Sequence, residues 1–82
     1  MIVKMYTLKN GLEIFNDVVA IRIKNKDYNL LILKDYISLL GEIHGYFEIE
    51  FENEVKKYEN LNACFMNNNN VFSIIIDGEY NG

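Results

Sequence analysis

Proline and tryptophan are absent from these 82 residues, and cysteine and histidine occur once each, as Cys64 and His44. A lone cysteine excludes an intrachain disulfide and a multi-thiolate metal site, so neither staple common in small domains is available and stability must come from packing or a partner. No apolar run approaches the roughly 18 residues of a membrane-spanning helix; Leu30–Leu33 and Ile74–Ile76 are among the longest, and no direct membrane insertion is expected. The first residues, Met1 to Tyr6, lack a basic leader with a small-residue cleavage site, which predicts a cytoplasmic location. Glycines 11, 41, 45, 78 and 82 are isolated, so no phosphate-binding loop is present and no cofactor is expected. The absence of proline suits strands that use every backbone N–H.

What is present is apolar bulk: half of the residues are hydrophobic and 13% aromatic, enough to offset chain entropy in one small domain, taken as residues 1–82. The net charge of −4 is unevenly spread, with most of the acids in the second half. An acidic chain without a Lys/Arg stripe is a poor ligand for nucleic acid or anionic lipid. The acids Glu48, Glu50, Glu52, Glu54 and Glu59 read first as a solvated strand face, and second as a docking surface for a basic partner.

Phe47-Glu48-Ile49-Glu50-Phe51-Glu52 alternates apolar and acidic groups with period two, the pattern of a half-buried strand, and Val19-Ala20-Ile21-Arg22-Ile23-Lys24 repeats it with cations outward. Val71-Phe72-Ser73-Ile74-Ile75-Ile76 is nearly continuous in apolar and β-branched residues, as expected where both faces of a strand are covered. Turns are expected at 9–11, 16–17, 25–27 and 53–54, and at the run Asn67 to Asn70, which reads as punctuation because asparagine tolerates positive φ. The strand segments between them are 2–8, 12–15, 18–24, 29–33, 45–52, 55–61, 63–66 and 71–77. The fold class is therefore all-β: a small antiparallel β-sandwich of about eight to ten short strands. Leu33, Tyr36, Ile37 and Leu40 follow helical spacing after Asp35, so the segment 35–41 is expected to be a loop or one short helical turn.

Chemistry is scarce. Ser38, His44 and an acid can be drawn as a hydrolase triad, but no nucleophile-elbow glycine pattern surrounds either serine. His44 reads as a rim residue hydrogen-bonded at a turn, and Cys64 as a small buried hydrophobe. No metal and no small-molecule ligand are implied. Tyr36, Ile37, Leu39 and Leu40 form an apolar patch beside a loop, either core or a surface that buries against another subunit. A non-catalytic binding or scaffolding domain follows.

The order of features resembles the N-terminal β-sandwich domain of the epsilon subunit of F-type ATP synthases, called delta in mitochondria. The likeness rests on Ile14-Phe15-Asn16-Asp17, the alternating Val19 to Lys24, the strand Asn29 to Leu33, the pair Leu39-Leu40, Gly45 before Phe47, Ile49 and Phe51, the pair Ala63-Cys64, and Val71 to Asp77. Two departures stand out: Lys34-Asp35-Tyr36 replaces the family's Pro-Gly-His, and Ala63-Cys64 its Gly-Gly. The family's C-terminal helical hairpin has no counterpart here, so no nucleotide site or inhibitory role is carried over. The resemblance implies a central-stalk subunit, peripheral on the inner face of the membrane, that couples a gamma subunit to a c-ring. It puts the gamma contact at Tyr36, Leu39 and Leu40 and the c-ring contact at Lys26, Asp27, Tyr28 and Asn29. The alternative is a stand-alone β module that self-associates or binds a peptide at a sheet edge.

Overall fold

Alternation of apolar and polar side chains turns into strands along most of the chain. The computed structural model describes residues 1–77; the last five positions of the expected 1–82 domain, Gly78 and Gly82 among them, lie outside the described residues. Seven strands are formed: β1 (Ile2–Thr7), β2 (Gly11–Phe15), β3 (Ala20–Asn25), β4 (Asn29–Ile32), β5 (Leu39–Glu50), β6 (Val55–Asn68) and β7 (Val71–Asp77). They make one sheet in the order β2-β1-β7-β6-β5-β3-β4. The fold is all-β, as expected, with strands fewer and longer than eight to ten. It is mixed rather than purely antiparallel, because β1 pairs in parallel with β7.

Length forces the sheet to fold over. Straight strands of the lengths of β5 and β6 would run roughly 40 and 48 Å, whereas the longest dimension of the molecule is 29 Å. Both bend where the β5–β6 register shifts between Gly45 and Phe47. Asn60 on β6 takes a left-handed φ of 54° there, and Gly45 on β5 has φ 148°. One layer is then β4, β3 and the halves 46–50 of β5 and 55–58 of β6. The other is β2, β1, β7 and the halves 61–68 of β6 and 39–45 of β5. Their inner faces share a single core: Val3, Met5, Ile21, Ile23, Ile43, Phe47, Ile49, Phe65, Phe72 and Ile74 are all buried within it. Phe47 stacks on Tyr58 at 4.8 Å and Phe65 on Phe72 at 5.2 Å, while Phe15 and Phe51 meet edge-on between the layers.

Gly45 tolerates no side chain at the bend. A Cβ would sit 2.9 Å from the Lys24 carbonyl oxygen, on a backbone conformation that L residues rarely adopt. Gly45→Ala is expected to cost about 2 kcal/mol, read as a lower urea midpoint at unchanged m-value.

Of the two expectations for 35–41, a loop or one short helical turn, the loop is what forms. Asp35 has φ 62° and Leu39 already belongs to β5. Residues 33–36 close a tight turn, the Tyr36 N–H donating to the Leu33 carbonyl at 3.2 Å, and the asparagine run binds the backbone of this segment in place of helical hydrogen bonds. The Asp35 N–H donates to Asn70 Oδ1 at 2.6 Å, and Asn67 Nδ2 donates to the Ile37 carbonyl at 3.0 Å. Asn69 and Asn70 also make the expected β6–β7 turn, with φ 49° and 63°. The run is thus an anchor as well as punctuation, and Asn67 is fully buried. The expected break between residues 61 and 63 is absent too: Asn62 is an outward residue of a continuous β6.

Candidate functional site

The outer faces of the two layers differ in chemistry. On the first, register sets Leu31, Arg22, Glu48 and Lys57 in one row across β4, β3, β5 and β6. Arg22 pairs with Glu50, and Lys24 lies over the Tyr46 ring. Burial, aided by the Glu48 carboxylate, pushes the Tyr46 hydroxyl up to about 12. This face is solvated and its charges are matched, as the alternation of Glu48 and Glu50 with apolar neighbours implied.

The second outer face is apolar. Leu12, Tyr6, Ile75 and Cys64 form one row across β2, β1, β7 and β6, and Ile14, Lys4, Ser73, Met66 and Leu40 form the next. Ile75 is 61% exposed at the middle of the sheet, Leu12 58% and Tyr6 49%. Isolated exposed apolar residues are ordinary; here they gather across five strands, interrupted by Lys4 and Ser73 in the second row and bounded by Glu42 in the first. Cys64 lies on this face, exposed rather than buried, because it faces Glu42 at an outward register position. Leu12, Ile14, Tyr6, Ile75 and Met66 were not among the expected contact residues. The available signal was the doubly apolar run Val71 to Ile76, since the structure covers only one of its two faces.

The expected partner residues are partly brought together. The β3–β4 turn carries Lys26, Asp27 and Tyr28 against the start of β5, where they border an open cavity of about 520 Å³ with Leu39 and Leu40. Asn29 and Tyr36 do not line it, and Tyr36 is half-buried against the core. Strand period splits the leucine pair: Leu39 packs inward on the core, whereas Leu40 points outward and is 76% exposed. The Tyr28 hydroxyl donates to the Glu42 carbonyl at 2.7 Å, and Asn25 Nδ2 donates to the same oxygen at 2.8 Å. Gly41 leaves room for the Phe65 ring, whose edge would lie 2.6 Å from an added Cβ.

His44 lies on an exposed part of β5. Its Nδ1 is 2.9 Å from Asn62 Oδ1 and its Nε2 3.1 Å from Glu42 Oε2. Both nitrogens face acceptors, so the imidazolium is favoured and the pKa is raised above 6.5, mainly by the Asn62 hydrogen bond and then by Glu42. Because the folded value is the higher one, the stabilising contribution is fully present below the unfolded pKa and is lost as pH rises through the folded one. NMR titration of the imidazole should show a midpoint above 6.5 that falls in Asn62→Ala. An unchanged midpoint in that variant would remove the assigned cause.

Ser38 and His44 are six residues apart along one extended chain, roughly 20 Å, and bond to different groups: Ser38 Oγ to Asn68, His44 to Asn62 and Glu42. They do not form a triad. Among the described residues no cluster of three or more His, Cys, Asp or Glu side chains could hold a metal, and no helix is long and apolar enough to cross a membrane.

No family model matches the chain, and no curated protein does. Among solved structures it is similar to a chain of the cryo-EM structure of the Tetrahymena thermophila mitochondrial ATP synthase central stalk and c-ring. The TM-score is 0.77, with 22% sequence identity over 93% of this chain. This chain spans 62% of that neighbour's length. At such identity the likeness establishes a common fold.

Proposed function

We propose that this chain is a non-catalytic central-stalk subunit of a rotary F-type ATP synthase, of the epsilon type that mitochondria call delta, coupling a gamma subunit to the membrane c-ring. The observation that carries the reading is the apolar outer face around Ile75, a surface that needs a large, permanent partner. The common fold with a chain of a central stalk and c-ring assembly supports it. Of the expected gamma-contact residues Tyr36, Leu39 and Leu40, the outward Leu40 carries the contact, which extends across the face to Met66, Ile75 and Tyr6, with Tyr36 and Leu39 packed beneath it. The c-ring contact is the turn Lys26, Asp27, Tyr28 and Asn29. The domain works mechanically: two sheet layers joined by strands that run through both make a stiff body that carries the gamma face and, adjoining it at Leu40, the c-ring turn. It stays peripheral to the membrane, on the inner face.

The test is affinity purification of the tagged chain from its own cells after mild detergent extraction, followed by mass spectrometry. Recovery of gamma-type and c-ring proteins is expected, and Lys26→Glu with Asp27→Lys should lose the c-ring while keeping gamma. Recovery of the chain alone, with a concentration-dependent dimer in sedimentation, would replace this reading by the self-associating module. The apolar face also suits such a module.

A further inference from the structure

The two halves of β5 have different neighbours. Residues 45–50 lie between β3 and β6, whereas 39–44 pair with β6 alone, so this stretch is a sheet edge among the described residues. Successive backbone amides of a strand point to opposite sides. The Glu42 carbonyl accepts from Tyr28 and Asn25, and the His44 N–H donates to Asn25 Oδ1 at 2.8 Å. The even-numbered residues therefore present their backbone groups to the edge. The next member of the series is Leu40, whose N–H and C=O face outward beside the N–H of Glu42, with no strand against them.

Strand edges elsewhere in this fold are kept short: β2 has five residues and β4 four. The edge from Leu39 to His44, Leu-Leu-Gly-Glu-Ile-His, carries no lysine or proline to discourage pairing. Alongside it opens the cavity of about 520 Å³, floored by Leu30, Leu39 and Phe65. A strand laid on this edge would direct alternate side chains into that space. Asp27, Glu42, Lys26 and His44 also line it, and the Glu42 carboxylate is shared with His44, whose imidazole a stronger cation would displace.

We propose that the edge at Leu40–Glu42 takes up an extended segment of a partner protein as an eighth strand, an aliphatic side chain entering the cavity and a basic one meeting Glu42 and Asp27. Charge favours this occupant over a second copy, because two such edges would each bring Glu42 and Asp27 to the seam in chains of net charge −4. The inference goes beyond the stalk reading: it shares Leu40 and the turn 26–28 with the contacts proposed there, but it concerns backbone pairing at an edge, which a peptide tests without any stalk partner.

The probe is an acetylated, amidated hexapeptide of alternating valine and lysine, titrated into the isotope-labelled full chain. Saturable shifts at Leu40, Gly41 and Glu42 are expected, with amide exchange at Leu40 and Glu42 slowed at least about tenfold. Alternate N-methylation of the peptide removes its donors and should abolish the effect. Leu40→Pro removes the edge N–H where proline is tolerated, and should weaken binding at least about tenfold. Glu42→Lys should do the same by charge, which keeps the test decisive if the proline variant fails to fold. No saturable binding overturns the proposal. So do protection at Leu12–Ile14 or around Ile75 instead, binding that survives both the N-methylated peptide and Glu42→Lys, and a dimer formed through this edge.

Discussion

Ile75→Asp is expected to lower capture of the proposed gamma-type partner at least about 100-fold while the domain stays folded. Ile75 stands at the centre of the apolar rows, with Tyr6 on one side and Cys64 on the other, and its side chain makes no part of the core. Central, fully desolvated positions dominate interface energies, and an unpaired carboxylate buried there costs several kcal/mol. The folded chain alone should lose no more than about 1 kcal/mol, the span of strand propensities. Cys64 supplies an internal reporter, because its exposed thiol should react with a maleimide in the free chain and be shielded when the face is covered. Undiminished capture by Ile75→Asp, with Cys64 still reactive in the complex, would mean that the partner binds elsewhere.

Phe72→Ala should do the opposite and destabilise the domain itself, removing a large share of its stability in the absence of any partner. The Phe72 ring is fully buried, stacks on Phe65, and sits on β7 between β1 and β6. Truncation of such a ring costs about 3–5 kcal/mol, against a total of about 4–12 kcal/mol for a domain of this size. Urea unfolding should show the native baseline shortened or lost. Ile37→Ala, at a position 71% exposed, is the matched control and should leave the midpoint unchanged. A small effect of Phe72→Ala would mean that the two layers share less of a core than their packing implies.

The strands of strict alternation were legible because period two determines both conformation and facing. Ile21 and Ile23 are buried with Arg22 and Lys24 outward, and Phe47 and Ile49 are buried with Glu48 and Glu50 on the solvated face. The segment after Leu33 carries an ambiguous signal, because Leu33, Tyr36, Ile37 and Leu40 match a helical spacing although the chain there forms a loop. That spacing is a local signal, and it loses to hydrogen bonds from Asn67 and Asn70, more than thirty residues away for Asp35. The same distance effect hid the anchoring role of the asparagine run. Of the expected contact residues, the turn 26–28 and the leucine pair were found at one cavity, but the apolar face was missed because its members come from five strands scattered along the chain.

By itself, then, the sequence determined the all-β class, most of the turns and the inward-facing residues of the strictly alternating stretches 21–24 and 47–50, since alternation and turn chemistry act between near neighbours. Tertiary structure alone decided that β5 and β6 bend to serve two layers, that β1 lies beside β7, and that the outward residues of β1, β2 and β7 become one apolar surface. Those outcomes follow from pairing between distant segments, where loop closure and core burial are settled jointly and no local pattern carries the answer.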